Sequence, residues 1–191
     1  MKRFSEQIKQ SATDEWYTPA EYVKWIVPFL KAKGFRRICA PWDTERSEFV
    51  KVLSAEGFDV TYSHIHSGTD FYEIEDFSKF DAVVSNPPFS QRTKILERLF
   101  EVGIPFAVIL DFNGIFDNKT RWELFSKYDF TIVVPQGRMK FFNDEQETTA
   151  QPMFQSVYIC RGISDKQIIF LERNKDNPIS GQIGIGEVSK C

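Results

Sequence analysis

The alternation of apolar runs between residues 19 and 134 constrains the fold of this 191-residue chain more than any other feature. Short apolar segments at 35–40, 58–63, 80–85, 105–110 and 130–134 read as strands. Between them, stretches at 19–33, 45–56, 91–102 and 120–127 carry apolar residues at helical spacing. Tyr22, Trp25, Ile26 and Phe29 share one stripe of the first, and Ile95, Leu96, Leu99 and Phe100 share one stripe of the third. Gly34, Gly57 and Gly103 act as stop signals, and Pro28 is expected to kink the last turn of the first helix. Such βα alternation predicts a mostly parallel sheet, with the apolar 80–85 run (Phe-Asp-Ala-Val-Val-Ser) at its centre. After residue 134 the rhythm changes. Segments 137–142, 154–160 and 167–171 read as strands without helices between them, which predicts an antiparallel β-hairpin at the C-terminal edge. The polar 143–152 stretch is expected to be a mobile loop and 175–191 a loose tail.

Composition narrows the functional classes. A hydrophobic share of 42% with 27% charged residues indicates a folded globular chain rather than a disordered one. No apolar run approaches the roughly 18 residues of a membrane span, and Met1-Lys2-Arg3-Phe4-Ser5 leads into polar sequence, so a cytoplasmic location is expected. Cys39, Cys160 and Cys191 have no metal or redox spacing. The net charge is -3, and residues 38–89 carry ten acidic against three basic side chains, so any nucleic-acid contact must come from a local basic rim. The chain is rich in flat side chains, with 19 Phe, four Trp and six Tyr.

Ser85-Asn86-Pro87-Pro88-Phe89 follows the buried central strand and precedes a helix. In open α/β sheets, ligands bind outside the carboxyl ends of the strands. Two prolines lock the turn and remove two backbone N–H groups, which leaves carbonyl oxygens to face a ligand beside the Asn side-chain oxygen and an aromatic ring. That cluster suits an NH2 group on a flat ring: two acceptors for its two hydrogens and Phe89 for the ring face. A rigid turn with Asn86 as helix cap is the purely structural reading.

Asn86-Pro87-Pro88-Phe89 resembles the Asp/Asn-Pro-Pro-Tyr/Phe signature of the S-adenosylmethionine-dependent amino methyltransferases that modify adenine N6 in DNA. Asp14-Glu15-Trp16-Tyr17-Thr18-Pro19 is similar to the family's N-terminal cofactor motif, and Gly68-Thr69-Asp70-Phe71 with Phe80-Asp81 to its adenine-side element. The order and spacing agree from residue 14 to about 160. The resemblance implies a Rossmann-like class I methyltransferase domain, with Asn86, Pro87, Pro88 and Phe89 as catalytic residues. It implies cofactor contacts from Trp16, Tyr17, Thr18, Pro19, Pro41, Asp70 and Phe71, S-adenosylmethionine as donor and S-adenosylhomocysteine as product. A flipped adenine in DNA would be the substrate. The motifs leave no room for an inserted target-recognition domain, so a partner subunit for sequence recognition is expected, in a restriction-modification or phage setting.

The turn after the first strand departs from the family pattern. It reads Ala40-Pro41-Trp42-Asp43-Thr44-Glu45-Arg46-Ser47, with Thr44 and Arg46 where most members carry glycine. The EcoRI-type branch also lacks those glycines and pairs Asp-Glu-aromatic-Tyr-Thr with Asn-Pro-Pro-Phe-Ser, as here. Asp43 is then a candidate partner for the cofactor ammonium, or an N-cap for a helix from Glu45, and the two roles are compatible. At the end of the second strand, Ser63 or His64 takes the place of the usual acidic ribose partner. His64 and His66 lack a third ligand, so no metal site is expected. Gln136-Gly137-Arg138-Met139-Lys140-Phe141-Phe142 looks like the family's hairpin near the target base. Alternation sets Met139 and Phe141 on one face and Arg138 and Lys140 on the other. In a DNA-binding role Phe141 would meet the base, and Arg138 or Lys140 would meet phosphate. Two other readings stand beside this one: a catalytically silent relative that binds nucleic acid or a protein partner, and a methyltransferase of RNA or of a protein glutamine amide.

Overall fold

The computed structural model describes residues 17–65, 68–142 and 154–172 and the backbone of 182–183. The expected loop 143–152, the motif residues Asp14, Glu15 and Trp16, His66 and all of the C-terminal tail except Gln182–Ile183 lie outside the described residues.

The first helical stretch forms two short helices, α1 (Ala20–Lys24) and α2 (Val27–Ala32). Pro28 explains the break. It has no N–H to donate to the carbonyl of Lys24, and its ring would clash there, so the helix stops at that residue and restarts with proline in its first turn. Strand β1 (Arg37–Ala40) is followed by α3 (Glu48–Ala55), which starts three residues later than the sequence pattern places it. The cap is Ser47, whose Oγ accepts from Phe49 N at 3.2 Å, and not Asp43. Strand β2 (Asp59–Tyr62), a 3-10 turn at Phe71–Glu73, strand β3 (Ala82–Ser85) and a second 3-10 turn at Phe89–Gln91 lead into α4 (Arg92–Val102). Helix α4 ends at Gly103, whose left-handed φ of 75° suits glycine. Strand β4 (Phe106–Asp111), α5 (Lys119–Lys127), β5 (Thr131–Pro135), β6 (Ser156–Arg161), β7 (Ile168–Leu171) and β8 (Gln182–Ile183) complete the chain.

The strands form a mixed α/β sheet in the order β2-β1-β3-β4-β6-β5-β7-β8. Strands β2, β1, β3 and β4 run parallel, and β5 pairs parallel with β7. The antiparallel pairs fall at the C-terminal side, as expected, but in a different arrangement. Strand β6 runs antiparallel between β4 and β5, and the antiparallel edge pair is β7 with β8. The 137–142 segment forms no strand of its own; it contributes one antiparallel bridge, Phe142 to Tyr17.

Both faces of the sheet are covered, which is why β3 is apolar along its whole length, with all four residues buried. On one face, Ala82, Val84, Ala107, Ile109 and Tyr158 pack with Val23 of α1, Leu30 of α2, and Phe49 and Leu53 of α3. On the other, Val83, Phe106, Val108, Leu110 and Ile159 pack with Ile95, Leu96, Leu99, Phe100 and Phe125 from α4 and α5. At the amino end of β3, Asp81 accepts from the backbone N–H groups of Arg36 (2.8 Å) and Arg37 (2.9 Å) and pairs with the Arg37 guanidinium at 2.8 Å. Those bonds hold its carboxyl down at about 2. Asp81 therefore anchors the end of β3 opposite to Asn86.

Candidate active site

The carboxyl ends of β1, β3 and β4 bring two clusters together, with Asn86 between them. The first gathers around the turn after β1. Asp43 N–H donates to the carbonyls of Ser63 (3.1 Å) and Ala40 (3.3 Å), and Ser63 N–H donates to Ala40 at 3.2 Å, which joins the ends of β1 and β2. The Trp42 ring meets Phe71 at 4.4 Å between centroids, so the 70–73 turn sits against the same corner. Asp70 caps that turn and accepts from Tyr72 N at 3.1 Å. Phe71 itself is 1% exposed, packed among Trp42, Tyr72 and Phe77, with the Arg98 guanidinium 5.6 Å from its centroid. Trp42 and Tyr72 are the half-buried rings in this corner, and sequence reasoning singled out neither.

Asp43 is 6% exposed, and each of its carboxylate oxygens accepts from a hydroxyl: Ser47 Oγ at the start of α3 and Ser85 Oγ at the end of β3. Burial pushes this carboxyl up to about 6, against the opposing pull of the two hydroxyls. Asp43 thus joins the β1 turn to the residue immediately before Asn86. Pro41 is buried beside it.

The second cluster forms around Phe89. Pro87 is buried, while Asn86, Pro88 and Phe89 are half-buried. Phe89 packs edge-on against Phe141 (6.2 Å) and Phe154 (5.8 Å). Phe141 and Met139 are buried at 2% and 1%, whereas Arg138 and Lys140 are exposed. The predicted alternation therefore holds although the segment is not a strand. Tyr17 exchanges both backbone hydrogen bonds with Phe142 (2.8 and 3.1 Å), and their rings stack at 5.6 Å. The Tyr22 hydroxyl accepts from Lys140 N at 2.9 Å, and Tyr158 Oη donates to the Tyr22 carbonyl at 3.0 Å. The segment carrying Tyr17, Thr18 and Pro19 is thereby held against the 138–142 segment. Thr18 is 5% exposed, and its Oγ1 has no hydrogen-bond partner among the described residues.

A third set of contacts shapes the loop after β4. Asp111 pairs with Arg92 at 3.4 Å and accepts from Asn113 N at 2.8 Å. Buried Arg121 donates to the carbonyls of Ile115 and Gly114, both at 2.8 Å, and to Thr93 Oγ1 at 2.5 Å. It fastens the 111–117 loop to the start of α4. Sequence reasoning missed Arg121, because an arginine on a polar helix face looks like any solvated charge until tertiary packing encloses it.

No protein-family model and no curated protein matches the chain. Among the described residues, no helix is long and apolar enough to cross a membrane. The chain is similar in fold to the methyltransferase subunit of a type I restriction-modification system from Streptococcus thermophilus, with a TM-score of 0.46 and 14% identity. The match covers 92% of this chain and 53% of that one. It is also similar to a modification subunit assigned to a type I restriction enzyme from Vibrio vulnificus YJ016, with a TM-score of 0.45, 11% identity and coverage of 93% and 52%. The chain spans about half the length of these two proteins.

Proposed function

We propose that this chain transfers a methyl group from S-adenosylmethionine to the exocyclic N6 of adenine in DNA. The observation that carries this reading is the placement of Asn86-Pro87-Pro88-Phe89 at the carboxyl end of the central strand, with Asn86 and Phe89 still half-buried. An amino group on a flat ring finds two acceptors there, the Asn86 side-chain oxygen and the Pro87 carbonyl. Hydrogen bonds from N6 to both would localise the nitrogen lone pair for attack, and Phe89 would stack on the ring. Positioning and fixed dipoles carry such a reaction, so no nucleophilic side chain is required. Phe141, edge-on to Phe89, would hold that ring in place. Arg138 and Lys140, exposed on the opposite side of the same segment, would meet phosphate.

Residues of both clusters fit the donor. Thr18 Oγ1 is a buried acceptor and donor with no partner among the described residues, and Trp42 offers a half-buried ring. Tyr17, Thr18, Pro19, Pro41, Asp70 and Trp42 would hold it, with Phe71 as the buried support under Trp42. When bound, S-adenosylmethionine supplies a methyl group activated by a sulfonium sulfur. Partner recognition and the DNA site read belong to the same proposal, as does a cytoplasmic setting.

Transfer of tritium from labelled cofactor into DNA, RNA or bulk protein tests it. Label in DNA, recovered as N6-methyladenine, is the expected result. Label only in RNA or protein overturns the substrate, and absence of both transfer and S-adenosylhomocysteine binding supports a silent binding protein instead.

A further inference from the structure

The Asp43 carboxylate touches both the start of α3 and the strand that delivers Asn86. Ser85 is fully buried at the end of β3, and its side chain reaches 42 positions back along the sequence to Asp43. Ser47, the other partner, is the N-cap of α3. Each carboxylate oxygen therefore holds a different element, and the three residues are 0–7% exposed. A carboxylate so enclosed, with both oxygens receiving protein hydroxyls, is badly placed to be the main contact of a ligand ammonium. It is well placed to fix Ser85, and through the peptide bond to fix the Asn86 turn.

We propose that Asp43 is a positioning residue that acts through Ser85 on the Asn86-Pro87-Pro88-Phe89 turn, rather than the direct partner of the cofactor ammonium. This inference rests on the methyltransferase reading for its kinetic consequence but not for its structural one. Small misplacement of a reacting group lowers rate steeply, so the tie matters to transfer more than to binding. Ser47 at the start of α3 and Ser85 on β3 bond the Asp43 carboxylate, and Cys39 on β1 and Tyr158 on β6 are the titratable groups close enough to interact with its charge. The thiol is pushed up to about 12 and the phenol well above its ordinary value, in each case mainly by burial, so both stay neutral near neutral pH. Asp43 is thus the group of this set whose charge changes near pH 6.

The test compares Asp43→Asn, Ser85→Ala and Ser47→Ala in the full chain. Asp43→Asn and Ser85→Ala are expected to speed amide hydrogen exchange at Asn86 and Phe89, and to do so no further in the double variant. Both should lower the single-turnover rate by about 100-fold while S-adenosylhomocysteine affinity, measured by calorimetry, stays near that of the unaltered chain. Ser47→Ala should lower the melting temperature yet leave exchange at Asn86 and Phe89 and the rate nearly unchanged. Loss of S-adenosylhomocysteine binding in Asp43→Asn but not in Ser85→Ala would make Asp43 the ammonium partner and overturn the proposal. Unchanged exchange at Asn86 and Phe89 in Ser85→Ala would overturn it as well. If the unaltered chain transfers no methyl group, the exchange readout still decides the tie, so failure of the activity reading is seen separately.

Discussion

At the residue scale, two carboxyl groups at opposite ends of β3 respond to pH with opposite signs. Asp43 is raised to about 6 by burial, so its folded form holds a proton more tightly than the unfolded chain. The stability it contributes is fully present below its ordinary value of 3.8 and is lost as pH rises through about 6. The loss amounts to about 3 kcal/mol at most, since one pKa unit is worth about 1.4 kcal/mol. Asp81 is lowered to about 2 by its bonds from Arg37 and Arg36, so its contribution is present above 3.8 and is lost as pH falls through about 2. Urea unfolding between pH 4 and 8 should therefore show a decline in stability that Asp43→Asn removes and that substitutions at Asp81 do not. A pH-independent difference between Asp43→Asn and the unaltered chain would contradict the assignment. For Asn86→Ala we expect transfer to be abolished, with melting temperature and cofactor affinity largely retained. A calorimetric loss of cofactor binding in that variant would place the pocket elsewhere.

Three links between elements show which features can be read from a sequence window and which cannot. The break between α1 and α2 follows from Pro28 alone, because a missing N–H is a local property. The start of α3 does not. Asp43, Thr44 and Ser47 are all acceptable caps by residue type, and Ser47 takes the role while the Asp43 side chain is held across the sheet by Ser85. The 137–142 segment has strand-like alternation, and its burial follows it, yet among the described residues its backbone finds only Tyr17 as a ladder partner, at Phe142. Pairing needs a neighbour, and the neighbours of β5 are already β6 and β7. Arg121 is the element-scale tie with the clearest consequence. Arg121→Met should cost about 3 kcal/mol by leaving two carbonyls and Thr93 Oγ1 without their donor. Proteolysis should then reach the 111–117 loop first, whereas uniform destabilisation without local cutting would argue against a specific tie.

Across the whole molecule, the charge of -3 leaves little general attraction to a polyanion, so the proposed binding to DNA would depend on a few local cations. If Arg138 and Lys140 meet phosphate, replacing either with Ala should weaken binding evenly across sequences and reduce the salt slope by about one. Fluorescence anisotropy over a salt series reads this directly, and an unchanged slope would remove both residues from the interface. The alternating α/β order, the central apolar strand and the turn Asn86-Pro87-Pro88-Phe89 were legible in the sequence, because each depends on periodicity or on proline geometry within a few residues. What only the tertiary structure decided was long-range. Strand β6 came to lie inside the sheet rather than in an edge hairpin, because strand order is set by which buried faces pack together. Phe71 became a buried support and Trp42 a half-buried ring, because enclosure depends on residues from three separate segments. Asp43 met Ser85 for the same reason: a contact between residues 42 positions apart has no periodic signature, and only the folding of two parallel strands side by side brings it into being.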